Sequence, residues 1–111
     1  MGKLEPAVLA QHTAALVGKI DDSDEEVRRA AVATLGKLEP AVLAQHAAAL
    51  VAMLEDSYAD VRMAAVQTLG KLDAAALAQH EQALAKAAKD DEFSDVRAAA
   101  EKVLAKLQAG K

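Results

Sequence analysis

Apolar and polar positions along the chain recur with the period of an α-helix. Leu43, Ala47, Leu50 and Leu54 are spaced four, three and four apart, which sets them on one face of a 3.6-residue turn. Pro40 opens this stretch, at a position that tolerates its missing N–H. The pattern predicts a helix A over about 40–54. Glu55-Asp56-Ser57-Tyr58 follows as a polar turn, and Val61, Ala65, Leu69 and Leu72 mark a helix B. Ser23 with Glu26 has the spacing of a capping box, and Ser57 with Asp60 is a weaker form of it. Gly36 and Gly70 either end helix B in a left-handed conformation or lie within it and let a neighbour pack closely. The second is favoured, because Leu38 and Leu72 continue the apolar face and Ala105 fills the same column without needing a positive φ.

This two-helix pattern is written three times. Gly2, Gly36 and Gly70 lie 34 residues apart and open GKLEPAVLAQH, GKLEPAVLAQH and GKLDAAALAQH. The second halves align as DSDEEVRRAAVATL, DSYADVRMAAVQTL and DEFSDVRAAAEKVL. Val27, Val61 and Val96 are spaced 34 and then 35, which places one extra residue near the central turn of the third unit, around Phe93 and Ser94. Only ten positions differ between the first two units, as recent duplication or consensus design would leave them. One helix pair cannot bury its own apolar face, but about three stacked pairs can. The expected fold is all-α: a single domain over 1–111, with repeats at about 2–35, 36–69 and 70–107 stacked as a right-handed α-solenoid.

The units resemble HEAT repeats, most closely the short regular class of phycobilin-lyase-like proteins. The resemblance rests on Asp22 with Val27-Arg28, Asp56 with Val61-Arg62 and Asp91 with Val96-Arg97, and on an Ala-rich helix B ending in Leu-Gly-Lys-Leu. It covers nearly the whole chain. Helix A is longer than in that class, and Ala75 stands where the other two units have proline. The resemblance implies a hydrogen-bonded ladder between repeats, formed by Asp22, Arg28, Asp56, Arg62, Asp91 and Arg97.

Composition narrows the function. The chain is 53% hydrophobic, yet Tyr58 and Phe93 are its only aromatics, so the core is Ala, Leu and Val. There is no cysteine, which excludes disulfides, thiolate metal sites and a cysteine nucleophile, and leans towards a reducing, intracellular setting. The net charge of −4 opposes nonspecific nucleic-acid binding. No apolar run approaches the roughly 20 residues that span a bilayer, and the N-terminus lacks the layout of a signal peptide.

Candidate chemistry is sparse. His12, His46 and His80 occupy one column of three different repeats. Stacked helices stand about 8–10 Å apart, whereas zinc ligands all lie about 2 Å from one ion. The acidic turns lack the glycine and terminal glutamate of an EF-hand and precede helix N-termini, where carboxylates are stabilised. No Gly-rich phosphate loop occurs, and the serines sit in turns without a nearby histidine. No enzyme activity, metal or cofactor is expected.

The most informative surface is a stripe along helix B with the columns Arg29, Ala33, Lys37; Met63, Gln67, Lys71; and Ala98, Lys102, Lys106. A spacing of four puts each trio on one helical face. The first two columns vary where helix B is otherwise nearly constant, and inner helices of solenoids line a concave binding surface. Arg29, Lys37, Met63, Gln67, Lys71, Lys102 and Lys106 are therefore the candidate partner contacts, with Tyr58 and Phe93 as edge anchors. The leading reading is a non-catalytic scaffold for a peptide or partner domain. The alternatives are a bilin-lyase-like enzyme or chromophore chaperone, which the resemblance alone suggests, and a structural or engineered module without a ligand.

The third unit turns interior columns polar. Val32 and Val66 become Glu101, Thr13 and Ala47 become Glu81, and Gly18 and Ala52 become Lys86, as a terminal cap requires. The first unit shows no such change. Some of Leu9, Leu16, Val27 and Leu35 are expected to face outward there, and a homodimer through this uncapped N-terminal repeat would cover them.

Overall fold

The structure, a computed structural model, describes residues 15–109. Helical residues 15–19 lead into a turn and then α1, Glu25–Leu35. Two short helices follow, α2 at Pro40–Ala44 and α3 at Ala47–Ala52, the latter continued by a 3-10 turn at Met53–Glu55. Next come α4 (Ala59–Leu69), α5 (Ala74–Ala78), α6 (Glu81–Asp90) and α7 (Ser94–Ala109). Among the described residues no strand occurs. The helix-B elements α1, α4 and α7 lie side by side, α4 between the other two, and the helix-A elements pack against them. This is an all-α solenoid.

One continuous core runs through the stack. Leu35, Leu43, Leu50, Leu69, Leu77 and Leu84 are all fully buried, at 0% exposure. Fully burying such a side chain contributes about 1.5–3 kcal/mol. The core is shared between repeats: no repeat owns a closed set of contacts, so each depends on its neighbour.

The structure corrects the expectation of one uninterrupted helix A. The segment bends at His46, whose φ of −115° and ψ of 15° leave the α region. Around the bend the ladder tightens: Gln45 N–H donates to Val42 C=O and His46 N–H to Leu43 C=O, each a three-residue step. The third unit bends at His80 in the same way, with φ −121° and ψ 18°. Histidine is a weaker helix former than the Ala and Leu around it. Leu43, Ala47, Leu50 and Leu54 stay buried on both sides of the bend, so the extra length of the unit forms a short added helix without leaving the core.

Three other expectations are corrected. Gly36 and Gly70 sit just beyond helix B, yet both are right-handed, with φ −64° and ψ −12°. They neither continue the helix nor form a left-handed cap. Close packing does occur there: a Cβ on Gly36 would lie 3.3 Å from Thr68 Oγ1, and one on Gly70 would lie 3.1 Å from Val103 Cγ2. The N-cap of α1 is Asp24, whose side chain accepts from Glu26 N–H, and α4 is led by Tyr58 with no side-chain cap. Ser23 and Ser57 therefore form no capping box. Finally, the extra residue of the third unit lies in α6, not in the turn: Asp91-Glu92-Phe93 matches Asp56-Ser57-Tyr58 position for position, while α6 runs as α-helix to Asp90 where the second unit ends in a 3-10 turn.

The fully buried Leu50 and Leu69 test the helix phases. Leu50→Ala and Leu69→Ala are each expected to cost about 2–5 kcal/mol in urea denaturation. A loss below about 1 kcal/mol for both would contradict the packing described.

Candidate functional site

Two arrangements of polar side chains stand out: a ladder through the turns and a groove on the helix-B face. The ladder starts from three turns with one local geometry. Asp22, Asp56 and Asp91 each accept, through Oδ1, from the backbone N–H two residues on, at 2.9 Å in every case. This turns each carboxylate into a fixed acceptor. The arginine of the repeat before then reaches it. Arg28 donates from Nε to Asp56 Oδ2 at 2.8 Å and from Nη2 to Asp56 Oδ1 at 3.2 Å. Arg62 makes the same pair with Asp91, at 2.7 and 3.3 Å. The remaining nitrogen ties each arginine to its own turn: Arg28, Arg62 and Arg97 donate from Nη1 to the carbonyls of Asp22, Asp56 and Asp91.

Tyr58 and Phe93 belong to this ladder. The guanidinium carbon of Arg28 lies 5.7 Å from the Tyr58 ring centroid, and that of Arg62 lies 5.7 Å from the Phe93 centroid. Each ring covers the arginine arriving from the repeat before, a cation–π contact that keeps water off the ion pair. Both rings remain about half exposed, so they keep one free face. The side chains beneath are sheltered, with Arg62 and Asp91 at 10% and 5% exposure.

This setting moves the carboxyl equilibria. Burial pushes Asp56 and Asp91 up, but the hydrogen bonds from Arg28 and Tyr58 N–H to Asp56, and from Arg62 and Phe93 N–H to Asp91, more than offset it. Neighbouring arginine charges add to the effect, and both carboxyls end below the ordinary value. In turn the hydrogen bond to Asp56 holds the Arg28 guanidinium above its ordinary value.

The groove lies between α4 and α7, with an open volume of about 840 Å³. Met63, Gln67 and Lys71 line it from α4, and Lys102 and Lys106 from α7. Val66, Ala98, Ala99 and Val103 form an apolar floor, Gly70 removes a side chain from its end, and Glu101 is its one acidic group. Five of the seven expected stripe residues thus converge. Arg29 lies apart, in a smaller depression with Glu25, Glu26 and Asp60 that also touches Met63 and Gln67. Lys37 is exposed and lines neither. Lys106 is also tied down: its Nζ donates to the Gly70 carbonyl, which satisfies a backbone acceptor past the end of α4.

The remaining candidates play smaller parts. His46 and His80 are half-buried at the helix-A bends, and His12 lies outside the described residues. Among the described residues no three His, Asp or Glu side chains come together as metal ligands would, and no helix is long and apolar enough to cross a membrane. Of the residues expected to face outward at the first repeat, Leu16 and Val27 are half-buried, while Leu35 is fully buried in the core. Leu9 lies outside the described residues.

The family described as HEAT repeats matches residues 13–105. The chain belongs to that family. No curated protein matches the chain.

Two outcomes test the ladder. Arg62→Ala leaves Asp91 Oδ2 and the Asp56 carbonyl without their donor and the buried carboxylate without its counter-charge, and is expected to cost about 3–5 kcal/mol. Arg29→Ala removes an exposed side chain and is expected to stay within about 0.5 kcal/mol. Equal melting temperatures for the two variants would contradict this. The second outcome concerns acid. Carboxyls with lowered folded-state pKa stabilise the fold fully above the unfolded value of about 3.9, and that contribution is lost as pH falls through the folded value. Urea midpoints should therefore drop below about pH 4. An Asp56→Asn, Asp91→Asn double variant, already weaker at neutral pH, should drop less; an identical acid profile would count against the ladder as the cause.

Proposed function

We propose that the chain is a non-catalytic scaffold that binds a peptide or partner domain along the face made by α4 and α7. HEAT repeats commonly serve as protein-interaction scaffolds. The observation that carries the reading is the groove itself: an apolar floor flanked by Lys71, Lys102 and Lys106 in a chain whose net charge is −4. Apolar contact supplies the affinity of such a site and a few placed charges its orientation. The groove lining contains no aromatic side chain, so chromophore handling draws no support from it.

Selection from a random peptide library, with affinities measured for the winners, tests the proposal. Peptides of micromolar affinity should weaken at least tenfold against a Met63→Glu, Lys102→Glu variant, a loss of about 1.4 kcal/mol or more. Winners indifferent to both substitutions would place the binding face elsewhere, and a library that yields none would favour a module without a ligand.

A second reading, a closed homodimer through the first repeat, is favoured by one observation. Leu16 and Val27 are half-buried, whereas their counterparts Leu50, Leu84 and Val61 are at 0% exposure and Val96 at 2%. Light scattering between about 10 μM and 1 mM should then show mass rising with concentration, and a strict monomer throughout would sink the dimer.

A further inference from the structure

We infer that the occupant of the α4–α7 groove is an acidic peptide segment, in which an apolar side chain is followed about 6 Å further on by a carboxylate that pairs with Lys102. The inference rests on the reading of this groove as a binding face and names the chemistry of what it binds.

The cations of the helix-B face are not equivalent. Arg29 has Glu25 and Glu26 four and three residues before it on α1, the spacing at which opposite charges pair on a helix. Asp60 borders the same depression. Lys102 has no such neighbour. Ala98 and Ala99 precede it by four and three residues, and Ala105 and Lys106 follow at three and four. The charge that faces it along α7 is therefore a second lysine, and like charges at that spacing repel. Glu101 is next in the chain, and adjacent residues of a helix do not face each other. Among the described residues Lys102 makes no ion pair. The helix dipole does not account for it either. A cation is stabilised within the last turn of a helix, where α7 carries Lys106. Lys102 stands about two turns before the end of α7 at Ala109.

The groove has unlike ends. α4 and α7 run in the same direction: Arg62 near the start of α4 reaches Asp91 just before α7, and Lys106 in the last turn of α7 reaches Gly70 just past α4. Asp60 and Asp95, both exposed, stand three residues before Met63 and Ala98 and share their helix faces. Met63, Ala98 and Ala99 offer accessible apolar surface in the middle. Lys102 and Lys106 lie at the other end. Lys106 keeps two further donors beside the one given to the Gly70 carbonyl. Lys71 leans the other way, its Cε 3.6 Å from where a Cβ on Gly36 would stand, and so contributes positive potential rather than a direct contact.

These positions fix the order of groups in the partner. An apolar side chain resting on Ala98 is one helical turn, about 6 Å, from a carboxylate over Lys102. One turn of a helical partner or two residues of an extended one spans that distance. A neutral or basic segment leaves Lys102 and Lys106 opposed, whereas a carboxylate between them relieves the repulsion. The reverse orientation would bring the carboxylate to Asp60 and Asp95.

Random peptides displayed on phage and selected against the full chain test this chemistry. Winners that lose affinity at least about tenfold against Met63→Glu bind the groove. Those winners are expected to be net acidic, with Asp or Glu one turn or two residues from an apolar side chain. Lys102→Glu should weaken them at least about tenfold, and selection repeated against Lys102→Glu should return peptides with Lys or Arg at that position. Groove-dependent winners that are neutral or basic, or that bind Lys102→Glu unchanged, would overturn the inference and leave the groove as a binding face. Winners indifferent to Met63→Glu, or a selection without winners, would remove that reading and the inference with it. Should Lys102→Glu lose its helical circular dichroism, Lys102→Gln replaces it, with a loss of about threefold expected and unchanged binding again overturning the inference.

Discussion

Every helix pair in this chain has an apolar surface that it cannot bury alone. Leu69 of α4 is fully enclosed in a helix that has α1 on one side and α7 on the other. Hydrophobic contact sets no register by itself, since one Ala- and Leu-rich surface slides on another at little cost. The register comes from the bond between Arg28 and Asp56 and its copy between Arg62 and Asp91. Two donors of one guanidinium meet two oxygens of one carboxylate, a geometry that tolerates little displacement. The third donor holds the arginine to its own turn, so the position of each repeat is referred to the turn before it. The close approaches at Gly36 and Gly70 depend on that register. A slip along the helices would carry Thr68 or Val103 from a glycine onto a residue with a Cβ.

The helix phases were legible in the sequence because burial follows the helical period. Leu43, Leu50, Leu69 and Leu72 are all enclosed on the side the spacing assigns to them. The bends at His46 and His80 were not legible, because the apolar spacing runs through them unchanged and both segments keep their residues in the core. The capping spacing misled for a local reason: Asp22, Asp56 and Asp91 spend their carboxylates on the turn, and the N-cap falls on the residue after Ser23 or Ser57. The cover of Arg28 by Tyr58 joins residues 30 positions apart, and no local pattern announces it. It could have been suspected only by noting that the two aromatics share one column beside the ladder.

The stripe on helix B was legible as a column but not as a site. Lys37 and Lys71 hold equivalent positions in consecutive repeats, yet only Lys71 lines the groove. Arg29 and Met63 are likewise equivalent, and Arg29 falls among Glu25, Glu26 and Asp60 instead. A column becomes a site when the next repeat brings its own side chains opposite, and what those chains are differs from one junction to the next. The α4–α7 junction has small Ala98 and Ala99 on its far wall, so the space between the helices stays open. Three lysines line it with Glu101 as their one acidic neighbour, whereas Arg29 at the α1–α4 junction stands among three acids.

This division of labour explains why fold and function are recorded so unequally in the chain. The columns that hold the ladder, the leucine core and the close approaches must repeat, since each junction obeys the same register. Repetition makes them visible in a single sequence. A binding face has the opposite requirement: a partner without the 34-residue period of the repeats cannot be matched by identical columns. In the function proposed above, recognition falls to positions that the register leaves free, namely Arg29 against Met63, Ala33 against Gln67, and Ala98 and Lys102 beyond them. Their variation disturbs the stack little, because all but Met63 are exposed, and Met63 only packs partly against the core. The same variation is what makes the open groove a feature of one junction, α4–α7, rather than of the whole array.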